Sequence, residues 1–115
     1  SDVYKRQILG SPIIREDDGL AMSSRNNLLT PENRKIAPNI YKQLTLIKND
    51  LKNKAHHELI INSIEAFKEN DIFPEYLSIL NPETLENADE NDTSVLIAIA
   101  VKLGNVRLID NILIN

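Results

Sequence analysis

The sequence contains no cysteine, which excludes disulfides and any thiolate metal site. No apolar run reaches the roughly 18 residues that a membrane-spanning helix needs, and the N-terminus lacks the hydrophobic block of a signal peptide. Basic residues do not dominate: 13 Lys and Arg stand against 17 Asp and Glu, a net charge of −4. That balance argues against a nucleic-acid-binding surface. Neither an internal repeat nor a low-complexity stretch is present. These absences leave a soluble cytoplasmic protein as the expectation. At 115 residues the chain has the size of one domain, large enough to bury a core.

What the chain does have is concentrated in the run Gly19-Leu20-Ala21-Met22-Ser23-Ser24-Arg25-Asn26. It places a glycine, two adjacent hydroxyls, a guanidinium and an amide together with little bulk. Backbone N–H groups and serine hydroxyls can donate to an anion, and arginine adds charge and a forked set of donors. A phosphate chain is the natural occupant. A surface turn leading into a helix accounts for the same residues, and chemistry alone does not separate the two.

The surrounding pattern predicts an α+β unit, two main helices packed on a small three-stranded antiparallel sheet and preceded by an extended loop. Residues 8–10 read as the tail of a buried strand. Pro12 then biases the chain towards extended structure, and Asp17-Asp18-Gly19 signals a turn, so 15–27 reads as mostly irregular. Thr30 can cap a helix whose first position suits Pro31 and whose dipole suits Glu32. Apolar Ile36, Ile40, Leu44, Ile47 and Leu51 then recur every three or four residues. Pro38 should kink or interrupt that helix. A second helix is expected over 56–69 with Ile60, Ile64 and Phe67 as its stripe, ended by Asn70-Asp71. Strands are expected over 75–80, 94–103 and 106–114. Asn81-Pro82-Glu83 forms a turn that opens a short helical stretch through Leu85. Gly104-Asn105 fits a type II′ hairpin turn.

The stretch 11–34 reads Ser-Pro-Ile-Ile-Arg-Glu-Asp-Asp-Gly-Leu-Ala-Met-Ser-Ser-Arg-Asn-Asn-Leu-Leu-Thr-Pro-Glu-Asn-Arg. It closely resembles the pantothenate synthetase (pantoate–β-alanine ligase) family, whose pattern is Pro-x-x-Arg-x-x-Asp-Gly-Leu-Ala-Met-Ser-Ser-Arg-Asn followed by a Leu-Thr/Ser-Pro-Glu helix start. Leu103-Gly104-Asn105-Val106-Arg107-Leu108-Ile109-Asp110-Asn111 is similar to the family's closing hairpin. The resemblance covers about residues 8–115. It implies the C-terminal, ATP-lid domain over 11–115. Residues 1–10 are then a leader plus the end of a strand from a nucleotide-binding domain with a His-x-Gly-His-type motif, which these residues do not contain. The leader 1–7 fits the family poorly and reads as non-native or as a truncation scar.

The resemblance further implies a ligation that uses ATP and Mg²⁺ to join pantoate to β-alanine through a pantoyl adenylate, giving pantothenate, AMP and pyrophosphate. Ala21-Met22-Ser23-Ser24-Arg25 looks like the counterpart of the superfamily's Lys-Met-Ser-Lys-Ser motif, with Ala21 and Ser24 replacing its lysines and Arg25 supplying the charge. The implied ATP-binding residues are Ile14, Met22, Ser23, Ser24 and Arg25, with no catalytic residue and no protein metal ligand. Ile14 matches a position whose backbone contacts adenine, and a plain core or hinge aliphatic is the other reading. Arg15, Glu16, Asp17 and Asp18 read as a solvated charge run, of which one acid could hold Arg25. Asn26 is expected to fix the loop's shape. His56 and His57 are expected in solvent, and the polarity of Asp110-Asn111 is expected to be structural. The complete enzyme is expected to be a homodimer and these 115 residues alone a monomer without turnover. The alternatives are a non-catalytic binding module derived from the same domain, or another adenylyl- or cytidylyltransferase of the superfamily.

Overall fold

The computed structural model describes residues 13–115. The leader 1–7, the strand tail at 8–10 and Pro12 lie outside the described residues.

The first regular helix, α1 (Pro31–Ile36), begins where the sequence places a cap. The Thr30 side chain accepts from the Asn33 N–H at 3.1 Å, and Pro31 occupies the first turn. It stops after Ile36 because Pro38 has no N–H to continue the ladder. Asn39 takes up one of the freed carbonyls, its amide donating to Ile36 O at 2.9 Å. The expected kink is thus a full break, after which α2 (Asn39–Asp50) buries Ile40, Leu44 and Ile47. The next helix, α3 (His56–Lys68), buries Leu59, Ser63 and Phe67, whereas Ile60 and Ile64 only pack beside the core. The stripe is therefore rotated one residue from the expected one, with the small Ser63 side chain buried where Ile64 was expected. Asp71 turns left-handed at φ 58°, and the Ile72 N–H returns to Phe67 O at 2.9 Å, closing the helix.

Three strands follow, β1 (Pro74–Leu80), β2 (Val95–Leu103) and β3 (Val106–Ile114), antiparallel in the order β1-β2-β3. The hairpin pairs Leu103 with Val106 across Gly104 and Asn105. Gly104 has φ 61° while Asn105 is not left-handed, the signature of a type II′ turn. One sheet face sends Leu77, Ile79, Ile97, Ile99, Val101 and Leu108 against α2 and α3, with Phe67 and Ile72 closing the core. On the other face Leu96, Ala98 and Ala100 of the central strand are also buried. Their flanking partners include Leu80, Tyr76, Ile109 and Leu113, which makes β2 apolar on both sides.

The short helix expected through Leu85 is instead a single capped turn. Asn81 Oδ1 accepts from the N–H groups of Glu83 and Thr84, and Leu85 at φ 60° prevents propagation. His56 and His57 are not both solvated: His56 is half-buried and His57 more open. His56 Nε2 lies 3.4 Å from Glu90 Oε2, and the other oxygen of Glu90 accepts the His56 backbone N–H at 2.9 Å. Among the described residues no helix is long and apolar enough to cross a membrane.

Candidate functional site

The segment expected to be irregular contains two small ordered pieces. Arg15 and Ala21 pair as an isolated antiparallel bridge, flanked by Glu16 N–H to Leu20 O and Met22 N–H to Ile14 O, both 2.8 Å. Gly19 closes the turn at φ 94°, and Asp18 Oδ1 accepts from the Leu20 N–H. Leu20 is buried in the core and roots the turn. Beyond Met22 the backbone enters a 3-10 turn, Ser24–Leu28. Ser23 caps it, its Oγ accepting from the Arg25 N–H at 3.1 Å and its carbonyl from the Asn26 N–H at 3.1 Å.

Ile14, Met22, Ser23, Ser24 and Arg25 all lie on the surface of this segment. Ile14 is 70% exposed, which removes it from the core, and its carbonyl accepts from Met22. Met22 is 55% exposed. The five residues therefore form a continuous ledge of two hydroxyls, a guanidinium and two apolar side chains. Met22, Ser23, Arg25 and Asn26 line a cleft of about 200 Å³ whose opposite wall is Arg107, Ile109 and Asp110 of β3. Ile14 and Ser24 stand outside that cleft.

Arg25 makes no ion pair among the described residues. None of the three acids of the charge run, Glu16, Asp17 and Asp18, holds it, and Asp18 accepts from Arg34 Nη1 at 2.7 Å. That hydrogen bond holds the Asp18 carboxyl below its ordinary range and raises the Arg34 guanidinium. Arg107 is paired with Glu75 at 3.2 Å. Asn26 does shape the loop, its amide donating to Ala21 O at 3.0 Å, while its buried Oδ1 has no partner among the described residues. No cluster of three or more His, Cys, Asp or Glu able to hold a metal occurs among the described residues.

Arg15 is the residue that the charge-run reading misplaced. Its Nη1 donates to Asp110 Oδ2 at 2.7 Å and to Gly19 O at 3.1 Å. Its Nη2 donates to Asp110 Oδ1 at 2.9 Å and to Asn111 O at 3.3 Å. The guanidinium also stacks 3.8 Å from the centroid of Tyr41 on α2. Asp110, 4% exposed, is structural as expected, but it acts as a counterion. The signal for it was available: Val106, Leu108, Asp110, Ile112 and Ile114 share one side of an alternating strand. An acid at such an inward position needs a partner.

Residues 3–113 match the family model described as Pantoate-beta-alanine ligase. The pantothenate synthetase of Acetivibrio thermocellus is 43% identical over 113 residues, which cover 94% of this chain and 40% of that protein. The pantoate–β-alanine ligase of Schizosaccharomyces pombe is 43% identical over 108 residues, covering 92% of this chain and 38% of that protein. The crystal structure of a pantothenate synthetase from Thermus thermophilus superposes with a TM-score of 0.80 at 35% identity, covering 89% of this chain and 38% of that one. The chain thus spans about two-fifths of the length of these relatives.

Proposed function

This chain belongs to the pantoate-beta-alanine ligase family, and from that premise we propose that it supplies the part of such a ligase that closes over ATP. The observation that carries the reading is the ledge itself. An arginine with no counterion among the described residues stands beside two exposed serine hydroxyls, and the cleft it lines is shared with a second arginine on β3. An arginine that no carboxylate of the described residues neutralises is well placed to receive an anion.

In the proposed reaction the pantoate carboxylate attacks the α-phosphorus of ATP, forming pantoyl adenylate and releasing pyrophosphate. The β-alanine amine then attacks the acyl carbon and expels AMP, leaving pantothenate. The chain's own residues act in the first step. Ser23 Oγ accepts a backbone N–H, so its proton is free to donate to a phosphate oxygen, and Ser24 donates alongside it. Arg25 offsets the charge that develops on the departing pyrophosphate. Met22 packs beside the nucleotide, and the Ile14 backbone borders the adenine. The Mg²⁺ that accompanies ATP finds no set of protein ligands among the described residues, so no step is assigned to it here.

The sites for pantoate and β-alanine are assigned to the part of the relatives that these residues do not span. The 115-residue chain alone should therefore show no turnover. Its ledge would also pay the ordering entropy of ATP binding without a facing domain. The test is pantoate-dependent exchange between ATP and labelled pyrophosphate by the intact gene product. Replacing Ser23 and Arg25 together by Ala should lower exchange by about 100-fold or more, while thermal stability stays close to wild type because both side chains are exposed. Undiminished exchange would overturn the assignment.

A further inference from the structure

We propose that Arg15 is a positioning residue for this reaction: clamped by Asp110 and stacked on Tyr41, it sets where Ser23, Ser24 and Arg25 stand relative to the nucleotide without touching it. The inference rests on the reading of those three residues as the ATP ledge.

The ledge is strung between two points that both lead back to Arg15. Ala21, immediately before Met22, is bridged across the turn to Arg15. Asn26, immediately after Arg25, donates its amide to the carbonyl of the same Ala21. A shift of Arg15 therefore carries both ends of the ledge with it. Arg15 in turn is referenced to the rigid part of the fold. Asp110 is paired with Ile99 of the central strand, and Tyr41 projects from α2. Its two terminal nitrogens make four hydrogen bonds to acceptors on two separate segments, the turn and β3. A planar fork held at that many points has one orientation, which a flexible ammonium would not have.

Packing alone does not require this arrangement. A buried ion pair is often no more stabilising than apolar side chains of similar volume. The neighbouring inward positions of β3 are in fact apolar, Leu108 and Ile112. The pair contributes a fixed direction and distance between the sheet and the turn. Without it the ledge would sample positions off the nucleotide, and apparent affinity would fall with the fraction of time it is correctly placed.

The test compares variants of the intact gene product by steady-state kinetics, with circular dichroism and thermal melting as the check on folding. The double variant Arg15→Met with Asp110→Leu replaces the pair by apolar side chains of similar size. Arg15→Lys keeps the charge and loses the fork, and Tyr41→Leu removes the stacking while leaving the Arg15–Asp110 hydrogen bonds. The expected result is a KM for ATP raised about tenfold in the first two and less in the third, the fraction of well-placed ledge being what changes. The KM for β-alanine stays within about twofold, since the second substrate does not meet the ledge. In hydrogen exchange the Met22 and Glu16 amides, which close the turn, lose protection in the same order. A KM for ATP unchanged in a folded double variant, or in folded Arg15→Lys and Tyr41→Leu if the double variant does not fold, overturns the proposal. Ser23→Ala with Arg25→Ala, run in parallel, separates the two failures. If that variant keeps its exchange activity, the ledge itself is wrongly assigned; if it loses activity while the Arg15 variants keep their KM, only the positioning role fails.

Discussion

Gly19→Ala should be among the most damaging single-methyl additions to this protein, and the structure shows why. Gly19 has φ 94°, outside the region where L-residues rest comfortably. A Cβ there would stand 2.5 Å from Tyr41 Cδ2 and 3.3 Å from Cγ. Turning the ring would carry Cδ2 away but take the ring face off Arg15, and Cγ, fixed close to the α2 backbone, stays tight, so the ring, the turn or the helix must move. The backbone conformation costs about 1–2 kcal/mol for a residue with a Cβ. Displacing the ring weakens its stacking on Arg15, worth about 0.5–1 kcal/mol or more when desolvated. Ala recovers about 0.4–1 kcal/mol by restricting the unfolded chain. The net loss is about 2–3 kcal/mol once the steric contact is included. Gly104→Ala is the internal control. Its φ is 61° and its nearest neighbour, Asn33 Nδ2, lies at 3.4 Å, so it should lose only about 1 kcal/mol. Urea denaturation at 25 °C measures both, and with a slope of about 1.5 kcal/mol per molar the midpoints should differ by about 1 M. In a Tyr41→Ala background Gly19→Ala should cost less than in wild type, because the clash then has no partner. Equal midpoints for the two glycine variants, or the same Gly19→Ala cost in both backgrounds, would refute the reasoning.

Two further outcomes follow from the geometry. Phe67→Ala removes a side chain with no exposed surface at the centre of the core and should lower stability by about 3–5 kcal/mol, read from the same urea midpoints. The Asp18 carboxyl is held low chiefly by the hydrogen bond from Arg34, so this pair stabilises the fold above the ordinary carboxylate pKa and the contribution disappears as pH falls through the lowered native value. Asp18→Asn should accordingly lose at most about 1 kcal/mol at pH 7, both partners being exposed, and its melting temperature should converge on that of wild type below about pH 4. A gap that widens on acidification would contradict the sign.

Much of the architecture was legible because it depends on local rules. Thr30 and Pro31 mark a helix start whatever lies around them, Pro38 must interrupt the ladder, and Gly104 before Asn105 selects a hairpin turn. Strand limits on either side of that turn came out within a residue. The misreadings lie where a distant neighbour decides. Ser63 counts as polar in any periodicity, yet it lies on the buried face of α3, which rotates the stripe. The turn after Asn81 has helix-like composition, but the left-handed Leu85 ends it at one turn. His56 looks exposed until Glu90, 34 residues on, folds back to cap its helix.

The candidate site divides along the same line. Ser23, Ser24 and Arg25 could be named as candidate anion donors from the order of residues, because a short run of hydroxyls and a guanidinium has the same donors in any fold, whereas Met22 and Ile14 became candidates only through the family resemblance. That Arg25 has no counterion among the described residues while Arg15 has one could not. Both sit in one charged stretch, and their difference is decided by Asp110, 95 residues from Arg15. Local propensity and side-chain chemistry act over a few residues, and the sequence states them directly. Which charge is neutralised, and which stays exposed, depends on strand register and on the packing of a distant hairpin against the turn, and only the folded chain sets those.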